Sequence, residues 1–160
     1  MDSMVQKAVK KMGLEGVGPM IMAPAAIVFI VGAIVSYVYR PAFDMSFIPR
    51  EITLAIGAVL VIVGVPIWLS AVVYFLLAYR KGELATHGPY ALMMNPIYNS
   101  WTALILPGIA FLLNWWLLLA TPVVMYAAFH YFIKGEDDYL RQKFGQQYDE
   151  YRKKVLLKFL

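Results

Sequence analysis

Two stretches of this chain hold most of the side chains able to bind a polar ligand or move a proton. The first is Arg80-Lys81-Gly82-Glu83-Leu84-Ala85-Thr86-His87-Gly88-Pro89-Tyr90, continuing through Asn95-Pro96-Ile97-Tyr98-Asn99. The second is His130, Lys134, Glu136, Asp137 and Asp138. A histidine, a Gly-Pro turn, tyrosines and adjacent carboxylates are the types from which ligand sites and proton-transfer sites are assembled. His130 is an ionisable residue within an apolar run, a functional candidate by default, and Tyr126, His130, Lys134 and Asp137 share one helical stripe. The plain alternative is a polar loop followed by the usual charged helix end.

The elements that must position these groups follow from composition. Of 160 residues, 61% are hydrophobic and only 24 are charged, 14 Lys+Arg against 10 Asp+Glu, with a mean hydropathy of +0.65. An ordinary soluble domain is about 25% charged, so this chain has too few charges to cover a globule. The same numbers exclude a disordered chain. The absence of cysteine excludes disulfides, thiolate metal ligands and a Cys nucleophile, and two histidines argue against a multi-His metal site, so no metal is expected. An integral membrane protein remains.

Residues 17–39 and 52–79 are runs without a charge, each long enough to cross a hydrocarbon core of ~30 Å. Pro66 is the natural kink of the second run, and Gly57 and Gly64 would let a neighbouring helix approach one face. From Ala91 to Ile133 there is no Asp, Glu, Lys or Arg, which is too long for one crossing. Asn114-Trp115-Trp116, a turn-former followed by two interfacial indoles, divides it into spans at 97–113 and 115–133. The expected fold is therefore an all-α integral membrane protein of one domain over 1–160. It has four spans, the last two a tight hairpin, and an amphipathic C-terminal helix.

Twelve of the fourteen Lys and Arg fall before the first span, between the second and third, or after the fourth. Both termini are accordingly expected on the cytoplasmic side. The net charge of +4 then reflects orientation and anionic lipid headgroups, with no nucleic acid implied. Residues 1–16 read as an amphipathic lead-in with Val5, Val9 and Met12 on one side. In residues 135–160, Leu140, Phe144, Tyr148, Tyr151, Val155 and Phe159 recur at helical spacing among Arg141, Lys143, Arg152, Lys153, Lys154 and Lys158. That pattern is a basic amphipathic helix, lying on the membrane or folded back on the bundle and bent at Gly145.

The order Thr86-His87-Gly88-Pro89-Tyr90, Asn95-Pro96-Ile97-Tyr98, then Glu136-Asp137 with Leu140, Phe144-Gly145, Tyr148 and Tyr151 resembles the integral-membrane methyltransferases. That superfamily includes isoprenylcysteine carboxyl methyltransferases and phospholipid N-methyltransferases. Its pattern is a "T-x-G-P-Y" turn, an "R-H-P-x-Y" or "N-P-M-Y" segment, and "E-E-x-x-L-x-x-x-F-G-x-x-Y-x-x-Y", and the resemblance covers about residues 80–155. Met94-Asn95 replaces the Arg-His of the isoprenylcysteine branch, and Asn-Pro-Ile-Tyr is closer to the phospholipid branch. The paired glutamates are here Glu136-Asp137.

The resemblance implies S-adenosylmethionine as cofactor. The Gly88-Pro89 turn would bring backbone amides and His87 to its carboxylate or adenine. Tyr90 and Tyr98 would stack on it or attract its sulfonium, with Asn95 beside them. Glu136 and Asp137 would take its ribose hydroxyls or ammonium. His87 and Glu136 are the candidates for removing an acceptor proton, and Arg80, His130 and Lys134 are weaker candidates for substrate contact. The implied partner is a membrane lipid acceptor, most plausibly an aminophospholipid. The competing readings are isoprenylcysteine-type carboxyl methylation, a nicotinamide-dependent membrane reductase, a non-catalytic membrane protein and, last, a transporter subunit. Sequence gives no oligomeric state.

Overall fold

A computed structural model describes residues 17–158; the lead-in read at residues 1–16, and Phe159, lie outside them. The described chain is all-α, with two isolated β-bridges and no strand. Four helices are long and apolar enough to cross a membrane: Gly18–Val38, Arg50–Lys81, Pro96–Leu113 and Trp116–Phe144. Large apolar side chains such as Ile27, Ile34, Val59 and Ile62 are exposed on the first two, as a lipid-facing surface requires. This is an integral membrane protein.

The first span packs against the fourth and the second against the third. Glycine sets the second pairing. A methyl group at Gly57 would lie 2.8 Å from the Gly108 carbonyl oxygen, and one at Gly64 would lie 2.8 Å from Leu104 Cβ. Without a strong hydrophobic drive between helices in lipid, such close backbone approach is what holds them together. The first pairing is filled by Ile21, Ala25, Met125 and Phe129, with Leu106 of the third span.

Two helices depart from the expected outline. Within the third span, Ser100–Ile105 forms a π-helical turn, with the Leu106 amide bonded to the Trp101 carbonyl. The fourth opens as a 3-10 turn, Trp116–Leu119, and its α-helix runs from Ala120 to Phe144, well beyond the expected end at 133. Absence of charge marks what lies in lipid, whereas Lys134, Glu136 and Asp137 sit in a helix at little cost, so the helix continues past its apolar part.

At the hairpin end, Asn114 closes the third span in the left-handed conformation (φ 64°), which its short polar side chain tolerates. The connection between the first two spans docks here: the Met45 amide donates to the Asn114 carbonyl at 3.0 Å and the Trp116 amide to the Phe43 carbonyl at 3.1 Å. At the other end, Gly145 (φ 52°, ψ −127°) adopts a conformation open only to glycine. There the chain reverses into the tail helix Gln146–Lys154. Tyr148, Tyr151 and Val155 pack on Leu84 and Met94, so the tail folds back on the bundle.

Candidate functional site

A cavity of ≈ 350 Å³ lies at the end of the bundle covered by the tail helix. Its walls follow helical periodicity. The fourth helix contributes Glu136, Tyr139, Leu140, Lys143 and Phe144, the second contributes Trp68, Phe75 and Tyr79, and the first contributes Gly18 and Met22. Asn95, Tyr98 and Trp101 come from the start of the third span, and Tyr148 and Tyr151 from the tail. Such spacing puts one face of each helix on the cavity. The wall is largely apolar and aromatic with few polar groups, the usual character of a small-molecule site, and the volume falls within the ~300–1,000 Å³ of such sites.

Glu136 is the polar feature of the interior. The Tyr98 hydroxyl and the Val17 amide face its carboxylate, yet its Oε2 is shut off from solvent and has no hydrogen-bond partner. A buried polar atom without a partner costs about 1–3 kcal/mol, more when charged, so this oxygen is an acceptor that a bound molecule can satisfy. Tyr98 is itself fixed edge-on to Phe129, with ring centroids 5.4 Å apart. Burial, reinforced by the Glu136 charge and then by Tyr151, pushes the Tyr90 hydroxyl above the ordinary phenol range. Tyr90 is thus a neutral hydrogen-bond donor at any physiological pH.

Adjacent residues on a helix point about 100° apart, and Asp137 turns away from Glu136 to a different task. It accepts the Tyr148 hydroxyl at 2.5 Å and pairs with Arg152 at 2.6 Å, fastening the tail helix. Burial, and then the bond to Asp137, raise the Tyr148 hydroxyl out of its titration range, so this donor persists. Tyr151 donates to the Tyr90 carbonyl at 2.9 Å. Beyond the helix, Leu157 bonds through its carbonyl to the Met94 amide and through its amide to the Leu92 carbonyl.

Of the residues singled out in the sequence, Tyr90, Asn95, Tyr98 and Glu136 therefore meet at the cavity. Glu83 also lines it, with Leu140, Phe144, Tyr148 and Tyr151 of the C-terminal pattern, while the remaining site candidates stand off its wall. His87 is exposed and its Nδ1 lies 3.2 Å from the Thr86 hydroxyl. Gly88 (φ 62°) leads into Pro89 with its Cα against the Tyr74 ring, where no side chain would fit. Asp137 is bound to the tail, and Arg80 and Lys134 are exposed. His130 is exposed too, its ring edge-on to Tyr126 at 4.3 Å. The cavity also uses residues that sequence reasoning passed over: Trp68, Trp101, Tyr139 and Lys143. The last two lie three and seven positions after Glu136, a helical spacing that would have found them.

The residues present fit S-adenosylmethionine in type. A buried carboxylate with one oxygen unsatisfied suits its hydroxyl or cationic groups, and aromatic walls suit a sulfonium. Among the described residues no cluster of His, Asp or Glu could hold a metal ion.

Comparison with known proteins agrees in kind. Two curated relatives are each named probable protein-S-isoprenylcysteine O-methyltransferase, from Oryza sativa subsp. indica and subsp. japonica. Each is 33% identical over 109 residues, covering 62% of this chain and 57% of the relative. The chain thus spans little more than half the length of these relatives. No solved structure matches. A family model described as phospholipid methyltransferase matches residues 52–147, a stretch that carries Tyr90, Asn95, Tyr98 and Glu136 and exceeds half of the sequence, and the chain belongs to that family.

Proposed function

We propose that this protein is an integral-membrane methyltransferase that uses S-adenosylmethionine and methylates the amine of a membrane lipid, an aminophospholipid. The observation that carries the reading is the buried Glu136 oxygen without a partner, facing an aromatic cavity within a chain of this family. The bound cofactor supplies an electrophilic methyl on a sulfonium. Glu136, Tyr90, Tyr98 and Asn95 would hold it, and the tail helix over the cavity would limit water, so that donor and acceptor are kept in line at ~3–3.5 Å. An amine must lose its proton before it attacks, and Glu136 would be the carboxylate that receives it. The wall bears Glu83 and Glu136 against a single lysine, a balance that favours a cationic acceptor over a carboxylate.

The acceptor's chains would reach the cavity from lipid between the first and second spans. These hardly touch one another, and each presents a side chain to the cavity, Met22 from the first and Trp68 from the second. The similarity to the two rice proteins supports a second reading, carboxyl methylation of an isoprenylated cysteine. Incubating the protein with labelled S-adenosylmethionine in liposomes with and without phosphatidylethanolamine separates them. Label in the phospholipid supports the first reading, and label only in a prenylated cysteine peptide replaces it with the second. The Lys/Arg distribution supports both termini on the cytoplasmic side, and reporters fused at residue 160 and within 44–48 should report opposite sides.

A further inference from the structure

The proposed reaction needs a place for negative charge, because S-adenosylmethionine carries a carboxylate and a phospholipid carries a phosphate. The cavity wall offers two carboxylates, Glu83 and Glu136, which repel an anion, and one cationic side chain, Lys143. Resting on the methyltransferase reading, we propose that Lys143 is the anion-holding residue of the site, binding the acidic group of the ligand: a carboxylate if the donor's, a phosphate if the acceptor's.

The bland account of Lys143 is a charge in the last turn of a helix, where cations are favoured generally. What sets Lys143 apart from its basic neighbours is its place on the cavity wall. Arg141 is paired with Asp149 at 3.1 Å, and Arg152 with Asp137 at 2.6 Å. Lys143 has no carboxylate partner among the described residues. Its Nζ is held over the rings of Phe144 and Tyr139, at 5.2 Å and 5.8 Å from their centroids, and both rings also line the cavity. Two aromatic faces thus keep the ammonium at the cavity while leaving its hydrogens free. Lys143 lies two turns beyond Glu136 on the same face, about 10 Å along the axis. A molecule between them meets a carboxylate at the buried end and an ammonium at the open end, an orientation that suits a zwitterion.

The test is binding, followed through the fluorescence of the cavity residues Trp68 and Trp101 and checked calorimetrically, on detergent-solubilised protein. Because Lys143 is exposed, Lys143→Ala should fold normally. If the donor's carboxylate is the ligand, Lys143→Ala weakens S-adenosylmethionine about tenfold or more and leaves decarboxylated S-adenosylmethionine unchanged. If the acceptor's phosphate is the ligand, the same variant weakens brominated phosphatidic acid about tenfold and leaves brominated diacylglycerol unchanged. In either case Lys143→Arg should restore most of the loss. Equal affinity of the wild type and Lys143→Ala for all four probes overturns the proposal. Failure of the wild type to bind either form of the donor would instead break the methyltransferase reading, and a Lys143-dependent preference for phosphatidic acid would leave the anion site standing.

Discussion

The two ends of this bundle are built from the same helices and solve opposite problems. At the hairpin end the backbone is capped and the interior is filled. Arg50 reaches across to the carbonyls that end the third span, Leu112 at 2.7 Å and Phe111 at 3.3 Å. Met45, Ala110, Trp115 and Leu118 fill the space beneath, and the guanidinium of Arg40 lies 4.9 Å from the centre of the Trp115 ring. At the tail end the spans spread around a cavity, and closure is delegated to a separate short helix held by side-chain bonds. The contrast teaches that closure and cavity are divided between the two ends of the bundle. One end caps exposed backbone carbonyls, and the other turns a partnerless carboxylate oxygen toward a cavity, as functional sites commonly do.

Substitutions at the two ends should separate these roles. The largest effect on binding is expected for Glu136→Ala, which should weaken S-adenosylmethionine by ~1.5–3 kcal/mol, the scale of a hydrogen bond to a charged group. Titration of the purified variant measures this, and unchanged affinity would remove Glu136 from the site. Asp137→Asn comes next. It takes the charge from the partner of Arg152 and Tyr148, and the part-exposed setting holds the cost to about 1–2 kcal/mol. It should appear as faster amide hydrogen exchange over residues 146–157, with the spans unaffected. Arg50→Ala should be smallest, about 1 kcal/mol of thermal or denaturant stability, with cofactor affinity preserved. A loss of affinity there as large as in Glu136→Ala would erase the distinction between the ends.

Much of this was legible in sequence because it depends on local chemistry. Gly57 and Gly64 mark a close helix contact, Asn114 a turn and Gly145 a bend, since each is a residue type that its backbone or neighbour demands. The site was only half legible. Tyr90, Tyr98 and Glu136 could be paired by their order in the chain, but Glu136 and Asp137 carry the same charge and sit side by side. Only the position of Arg152 and Tyr148, brought back by the tail, decides which faces the cavity. His87 has the right chemistry and turns outward, a fact that depends on how Gly88 packs on Tyr74. Trp68 and Trp101 are indistinguishable in sequence from lipid-facing or core aromatics, because which face of a span meets a cavity is set by its neighbours.

The π-helical turn at Ser100–Ile105 has a consequence for how the two ends tolerate change. A turn bonded five residues back holds one residue more than an α-helical turn, so the third span behaves as two cylinders joined out of phase. The segment beginning Pro96–Asn99 is indexed to the cavity through Tyr98, and the segment Leu106–Leu113 is indexed to the second span through Gly108. Were the same residues wound as uninterrupted α-helix, one cylinder would be rotated against the other by about 100°. With the Gly57–Gly108 contact intact, the rotation would carry Tyr98 off the cavity wall. The extra residue acts as a phase shifter, by which a helix locked in register at one end can be aimed independently at the other.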